Sequence, residues 1–85
     1  MDNKQYALEI ATVLNKAKAI LPAKELANIM NTFGHTTTYG AQYTGLRGTY
    51  TLIHATFDWL TKQGKIDEAE IVAKAFTKPD GSYAY

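Results

Sequence analysis

Residues 31–47 read NTFGHTTTYGAQYTGLR and separate one helical pattern of the chain from the next. Five residues recur there at every third position: Asn31, Gly34, Thr37, Gly40 and Tyr43. Arg47 is the only formally charged residue of the stretch. Glycine is favoured where the backbone needs a positive φ or where another group approaches closely. The pattern therefore predicts either a constrained connection or a contact surface, and the sequence leaves both open.

Two helices are predicted on the N-terminal side of this stretch. Apolar residues at helical spacing indicate a helix over about residues 3–20, with Asp2 as its N-cap. Pro22 suits the first turn of a second helix. The apolar face of that helix is predicted to hold Leu26, Ile29, Met30 and Phe33. Gly34 would supply the left-handed residue that ends it.

Two more helices are predicted on the C-terminal side. The third covers about residues 49–63 and ends at Gly64. The fourth is predicted to begin at Asp67, whose carboxylate would cap it, and its inward residues are Ala69, Val72 and Phe76. The turn chemistry of residues 78–81 allows the last residues to return as a short C-terminal β-hairpin.

These elements predict one all-α domain over residues 1–85. It would be a four-helix compact domain, helix-turn-helix-like, with an irregular Gly/Thr/Tyr-rich segment at 34–48. The chain has 85 residues, of which 46% are hydrophobic and 20% are charged, as in ordinary globular domains. A domain of this size buries a core of its own.

Composition also excludes several classes of function. The chain has no cysteine, which rules out disulfides and thiolate chemistry. Its net charge of +1 is too small to indicate a polyanionic partner by itself. We find neither a signal-peptide pattern nor an apolar run that would span a membrane, so we expect a cytoplasmic protein with no membrane partner.

The order of predicted helices resembles a helix-turn-helix, with KELANIMNTFG, residues 24–34, as the positioning helix. Residues 26–43 also resemble the DNA-binding domain of large serine recombinases. In that family a helix ending in Leu-Asn is followed by glycine, threonine, glycine and tryptophan at the intervals seen here. Met30 and Tyr43 stand in for the leucine and the tryptophan. The resemblance ends at Tyr43, because Gly45 and Gly48 interrupt what that family continues as helix.

The resemblance implies a small DNA-binding or regulatory protein that binds duplex DNA. Hydroxyls would contact phosphates, aromatic and amide side chains would contact sugars or base edges, and basic side chains would pair with phosphate or guanine. The implied residues are Thr36, Thr37, Thr38, Tyr39, Gln42, Tyr43, Arg47 and Lys62. Affinity for duplex DNA depends largely on neutralised phosphates, and a single arginine predicts weak binding or binding as a homodimer.

Two other interpretations of the same residues stay open. Tyr39, Tyr43 and Arg47 are types enriched in protein interfaces, which predicts a protein-binding accessory module without nucleic acid. The residue mix resembles small accessory proteins of bacteriophages and mobile elements. Alternatively, Tyr43, Leu46 and Tyr50 cover the open edge of the helical core, and the threonines satisfy backbone groups in turns.

An enzyme is not predicted. The candidate acid–base groups are two histidines and scattered carboxylates, of which His54 and Asp58 lie one helical turn apart. Together with His35 they match no known metal-ligand spacing. We therefore expect no catalytic residue, no metal and no cofactor.

Overall fold

The computed structural model describes residues 2–44 and 48–85 and contains the four predicted helices. They are α1 (Asn3–Lys16), α2 (Ala23–Thr32), α3 (Thr49–Lys62) and α4 (Ile66–Ala73). Helices α1, α3 and α4 pack against one another, and α2 packs against α3. None of the helices within the described ranges has the length and apolar character needed to cross a bilayer.

A two-stranded parallel sheet corrects the all-α prediction. Strand β1 is Leu21–Pro22 and strand β2 is Phe76–Thr77, with Leu21 beside Phe76. The Leu21 N–H donates to the carbonyl of Ala75 at 2.8 Å. Parallel strands need a long crossover, and α2, α3 and α4 supply it here. Two-residue strands are too short to show a period in the sequence.

Helix α1 ends at Lys16, four residues before the predicted end. Lys18 adopts a left-handed backbone conformation with a φ of 54°. The N–H groups of Lys18 and Ala19 donate to the carbonyls of Asn15 and Leu14, at 3.2 Å and 2.9 Å. This is the hydrogen-bond pattern that usually ends a helix at glycine. It turns the chain so that Leu21 can join the sheet.

The predicted end of α2 is confirmed, since Gly34 has a φ of 78° and the His35 N–H donates to the Met30 carbonyl at 2.9 Å. The predicted burial of Phe33 is wrong, because its side chain is 67% exposed. Leu26 and Met30, on the same predicted face, are fully buried. Phe33 lies beyond the last residue of the helix, so it does not continue the apolar stripe.

Helix α4 begins at Ile66 and its N-cap is Lys65, so the prediction of Asp67 as the cap is wrong. Asp67 lies in the first turn, where a carboxylate interacts favourably with the helix dipole. After α4, Thr77 and Tyr83 form an antiparallel bridge. Two hydrogen bonds flank it, from Lys78 N–H to the Ser82 carbonyl and from Ala84 N–H to the Phe76 carbonyl. A minimal C-terminal hairpin is therefore present.

The segment between α2 and α3 is irregular where the structure describes it, as predicted for residues 34–48. A helix-turn-helix joins its two helices by a turn of about 3–4 residues. Here residues 33–48 separate α2 from α3. The two helices nevertheless touch each other. The long segment, rather than a tight turn, forms the candidate site.

Candidate functional site

The side chain of Asn31 closes the loop that follows α2. Its Nδ2 donates to the Tyr43 carbonyl and its Oδ1 accepts from the Tyr43 N–H, both at 2.8 Å. The side-chain amide of Asn31 thus bonds to both the N–H and the carbonyl of Tyr43, as a residue of a neighbouring strand would. We call residues 33–44 the anchored loop, because this pairing brings its far end back to α2.

A turn centred on Tyr39 forms the tip of the anchored loop. The Thr37 N–H donates to the Ala41 carbonyl at 2.8 Å, and the Ala41 N–H returns to Thr37 Oγ1 at 3.2 Å. Gly40 has a φ of 78°, a conformation that favours glycine. Tyr39 is 95% exposed at this tip. The turn thus presents an aromatic side chain on a hydrogen-bonded support.

The three-residue spacing now has a structural explanation. Asn31 clamps the loop, Gly34 ends α2, Thr37 and Gly40 build the turn, and Tyr43 receives the clamp. Each position of the pattern therefore carries a conformational role. The spacing that resembles a recombinase domain is accounted for within this chain by its own hydrogen bonds.

Tyr43 joins the anchored loop to the core. Its ring is 6% exposed, and its hydroxyl accepts a hydrogen bond of 2.6 Å from Asn3 Nδ2. The same Nδ2 donates to the Thr36 carbonyl at 2.6 Å, and Asn3 Oδ1 accepts from His35 Nδ1 at 3.1 Å. The imidazole stacks on Tyr6 with ring centroids 4.2 Å apart. The first turn of α1 therefore holds both ends of the loop.

Burial raises the pKa of the Tyr43 phenol above its ordinary value of about 10, and the hydrogen bond from Asn3 partly opposes this shift. The phenol is therefore neutral at physiological pH. Gly48 lies against the same ring, because a β-carbon placed on it would be 3.1 Å from both Tyr43 Cδ1 and Thr37 Cγ2. This close approach fixes the start of α3 beside the anchored loop.

A groove of about 980 Å³ runs between the anchored loop, the start of α1 and the first turns of α3. The loop contributes hydroxyl, amide and aromatic groups, and α1 contributes Asp2, Asn3 and Lys4. Thr51, Leu52 and Ala55 of α3 form the opposite wall. Among the described residues that line the groove, Asp2 and Lys4 are the two with a formal charge.

The groove brings together six of the eight predicted site residues: Thr36, Thr37, Thr38, Tyr39, Gln42 and Tyr43. Tyr43 differs from the others, because its ring packs in the core and supports the site, as the core-cover interpretation predicts. Lys62 lies at the far end of α3, roughly 20 Å from its first residue at 1.5 Å per residue. Arg47 and Leu46 lie outside the described residues.

Sequence reasoning missed the contribution of α1 and α3 to this site. Asn3, Lys4 and Thr51 line the groove, but they fall within the predicted helices over residues 3–20 and 49–63, outside the loop. Asn3 is joined to Tyr43 across forty positions by a hydrogen bond. No local pattern signals such a contact, because it depends on how α1 packs.

The two histidines contact different residues and do not share a site. His35 contacts Asn3 and Tyr6, whereas His54 Nε2 lies 3.4 Å from the Ala84 carbonyl and its ring lies 4.7 Å from that of Tyr85. Within residues 2–44 and 48–85, no three histidine or carboxylate side chains gather as a metal site would require. Although Asp58 lies one helical turn from His54, no hydrogen bond joins the two side chains in this part of the chain.

Comparison of the chain with protein-family models, with curated proteins and with solved structures returns no match.

The buried phenol gives a prediction for alkaline pH. Because the pKa of Tyr43 is raised in the folded protein, the unfolded chain releases this proton first as pH rises. The protonated Tyr43 hydroxyl therefore makes its full contribution to the free energy of unfolding below about pH 10, and this contribution is lost as the pH rises further. We expect Tyr43→Phe to cost about 1 kcal/mol at neutral pH and to flatten the alkaline fall in unfolding free energy.

Urea unfolding monitored by circular dichroism between neutral and alkaline pH measures this effect. Tyr39→Phe is the matched control, because it removes the same hydroxyl group from a tyrosine that is 95% exposed. Equal alkaline profiles for the wild type and Tyr43→Phe would contradict the assignment.

Proposed function

We propose that this chain is a small protein-binding module, and that the groove holds a segment of a partner protein. The observation that carries the proposal is the groove itself, with the exposed Tyr39 at its rim on a hydrogen-bonded turn. A tyrosine presented on a rigid support contributes large contact area at a low cost in conformational entropy.

The charges of the groove support a polypeptide ligand. Asp2 and Lys4 carry opposite formal charges, so the described lining has no excess of positive charge. Binding to a nucleic-acid backbone rests on several Lys or Arg contacts with phosphates. Hydroxyl, amide and aromatic groups around a partly apolar wall are instead suited to backbone and side chains of a protein segment.

Duplex DNA is the second candidate function. It draws support from the contact between α2 and α3, which a helix-turn-helix-like arrangement requires. On this hypothesis the exposed side of α3, with Thr51, Asp58 and Lys62, would face the groove of DNA. Asp58 opposes the charge of Lys62, so such binding would be weak or would use a homodimer. Regulation and a phage origin stay predictions.

Selection of random peptides displayed on phage against the full chain tests the proposal. We expect selected peptides to bind and to shift the backbone amide resonances of residues 36–43. Tyr39→Ala should weaken their binding by about tenfold or more, as truncation of an interface tyrosine often does. Tyr83→Ala is the matched control, because Tyr83 is also exposed, at 51%, and lies outside the groove.

A random-sequence DNA duplex at low salt forms the second arm of this experiment. DNA-dependent shifts along α3 that weaken in Lys62→Gln, with no binding of selected peptides, would replace the proposal with the DNA hypothesis. Peptides that bind equally well to the wild type and to Tyr39→Ala would contradict the assignment of the groove with Tyr39 as the binding site.

A further inference from the structure

The Tyr43 hydroxyl offers a hydrogen-bond donor to the groove. Its oxygen accepts from Asn3 Nδ2 at 2.6 Å, and the hydroxyl hydrogen has no acceptor among the described residues. Tyr43 is only 6% exposed, and it is one of the residues that line the groove. A buried donor of this kind gains free energy when a ligand oxygen accepts from it.

Lys4 brings a positive charge to the same groove. Its side chain is half-buried, and the one ion pair of residues 2–44 and 48–85 joins Glu70 to Lys74 elsewhere. Lys4 also lies in the first turn of α1, where the helix dipole disfavours a cation. A carboxylate bound beside Lys4 would pair with the ammonium group and interact favourably with this helix end.

Asp2, the other charged residue of the groove, already makes a hydrogen bond as the N-cap of α1. Its Oδ1 accepts the Gln5 N–H at 2.9 Å and caps α1. The cap directs the Asp2 carboxylate at the backbone of α1 without removing its charge, whereas Lys4 makes no described ion pair and is the cation that a ligand carboxylate can pair with. Among its described residues, the groove therefore offers hydrogen-bond donors beside one unpaired cation, and its one carboxylate is turned towards the helix backbone.

We infer that the groove selects a partner segment that carries an aspartate or glutamate, whose carboxylate pairs with Lys4 while an oxygen of the segment accepts from the Tyr43 hydroxyl. The inference rests on the proposed protein-binding function and names the chemistry of its partner. Thr36, Thr38 and Thr51 also line the groove, and their neutral hydroxyl groups add further hydrogen-bond capacity.

The test uses a displayed random peptide library in which acidic and basic residues are equally frequent. Selection against the wild-type chain should enrich peptides with an aspartate or glutamate at one position. Selection against Lys4→Glu should instead enrich lysine or arginine there. Lys24→Gln removes an exposed charge outside the groove and should select the same acidic peptides as the wild type.

Affinities of one selected peptide give the size of each contribution. Lys4→Gln and Tyr43→Phe should each weaken binding about fivefold, as expected for one partly buried charge pair or hydrogen bond. Binding to the wild type should weaken with added salt, and binding to Lys4→Gln should respond less. Lys4 makes no described side-chain hydrogen bond or ion pair, so its variants test the inference without loss of the fold.

The possible failures are distinguishable. If no peptide shifts the amides of residues 36–43, the proposed function is wrong. If peptides bind there but show no acidic preference, and Lys4→Glu selects the same sequences, the inference is wrong and the protein-binding function stands. Charge-dependent binding of the DNA duplex alone, lost in Lys4→Gln, would assign this cation to nucleic acid instead.

Discussion

Replacement of Phe76 by alanine is expected to lower the free energy of unfolding by about 3–5 kcal/mol. The Phe76 ring has no exposed surface, and it belongs to the same buried cluster as Leu26, Ile53 and Val72. Its backbone also holds β2 between Leu21 and Ala84. Alanine would leave a cavity where α2 meets the small sheet, and relaxation there is limited by strand pairing on both sides.

Phe33→Ala is the matched control, because it deletes the same ring from a position that is 67% exposed. We expect it to cost less than about 1 kcal/mol, mainly through its tilted contact with Tyr6 at 6.5 Å. Urea unfolding monitored by circular dichroism measures both variants. Equal losses of unfolding free energy in the two variants would contradict the assignment of Phe76 to the core and of Phe33 to the surface.

Gly48→Ala is expected to cost about 2–3 kcal/mol. The residue has a φ of 75°, and a side chain in the left-handed region costs roughly 1–2 kcal/mol by itself. The new methyl group would also lie 3.1 Å from Thr37 Cγ2 and from Tyr43 Cδ1. Overpacking of this kind adds to the backbone cost, because the Tyr43 ring is fixed by Asn3.

Gly40→Ala separates these two contributions. Gly40 has a φ of 78°, and a β-carbon there would meet nothing within 4 Å. We expect this variant to lose only about 1 kcal/mol, which is the backbone cost alone. Thermal or urea unfolding gives both values. A loss in Gly48→Ala no larger than that in Gly40→Ala would mean that the ring can move aside.

The helices could be predicted from sequence wherever their ends carry a glycine. Gly34 and Gly64 both adopt positive φ and end α2 and α3 as expected. The end of α1 could not be predicted, since a lysine takes the left-handed conformation there. The turn at Lys18 leads into β1, where the Leu21 N–H donates to the Ala75 carbonyl, a contact between distant parts of the chain.

The site could be predicted only in part, for the same reason. The loop residues were found because glycine and threonine at regular spacing indicate a constrained segment. The part of the groove formed by Asn3 and Lys4 could not be predicted from the sequence. It depends on the packing of α1 and on the hydrogen bond from Asn3 to Tyr43. Similarly, an exposed Tyr39 and a buried Tyr43 look alike in sequence, and they differ through distant contacts of Tyr43: the clamp from Asn31 and the hydrogen bond from Asn3.

The pairing of β1 with β2 also determines when this protein can fold during translation. The ribosome adds Leu21 and the residues of α1, α2 and α3 before it adds Phe76. Until then the nascent chain lacks the ring that fills the junction of α2 with the sheet. Because a contact this distant in sequence closes late, we expect the small sheet to form only after all four helices have been synthesised.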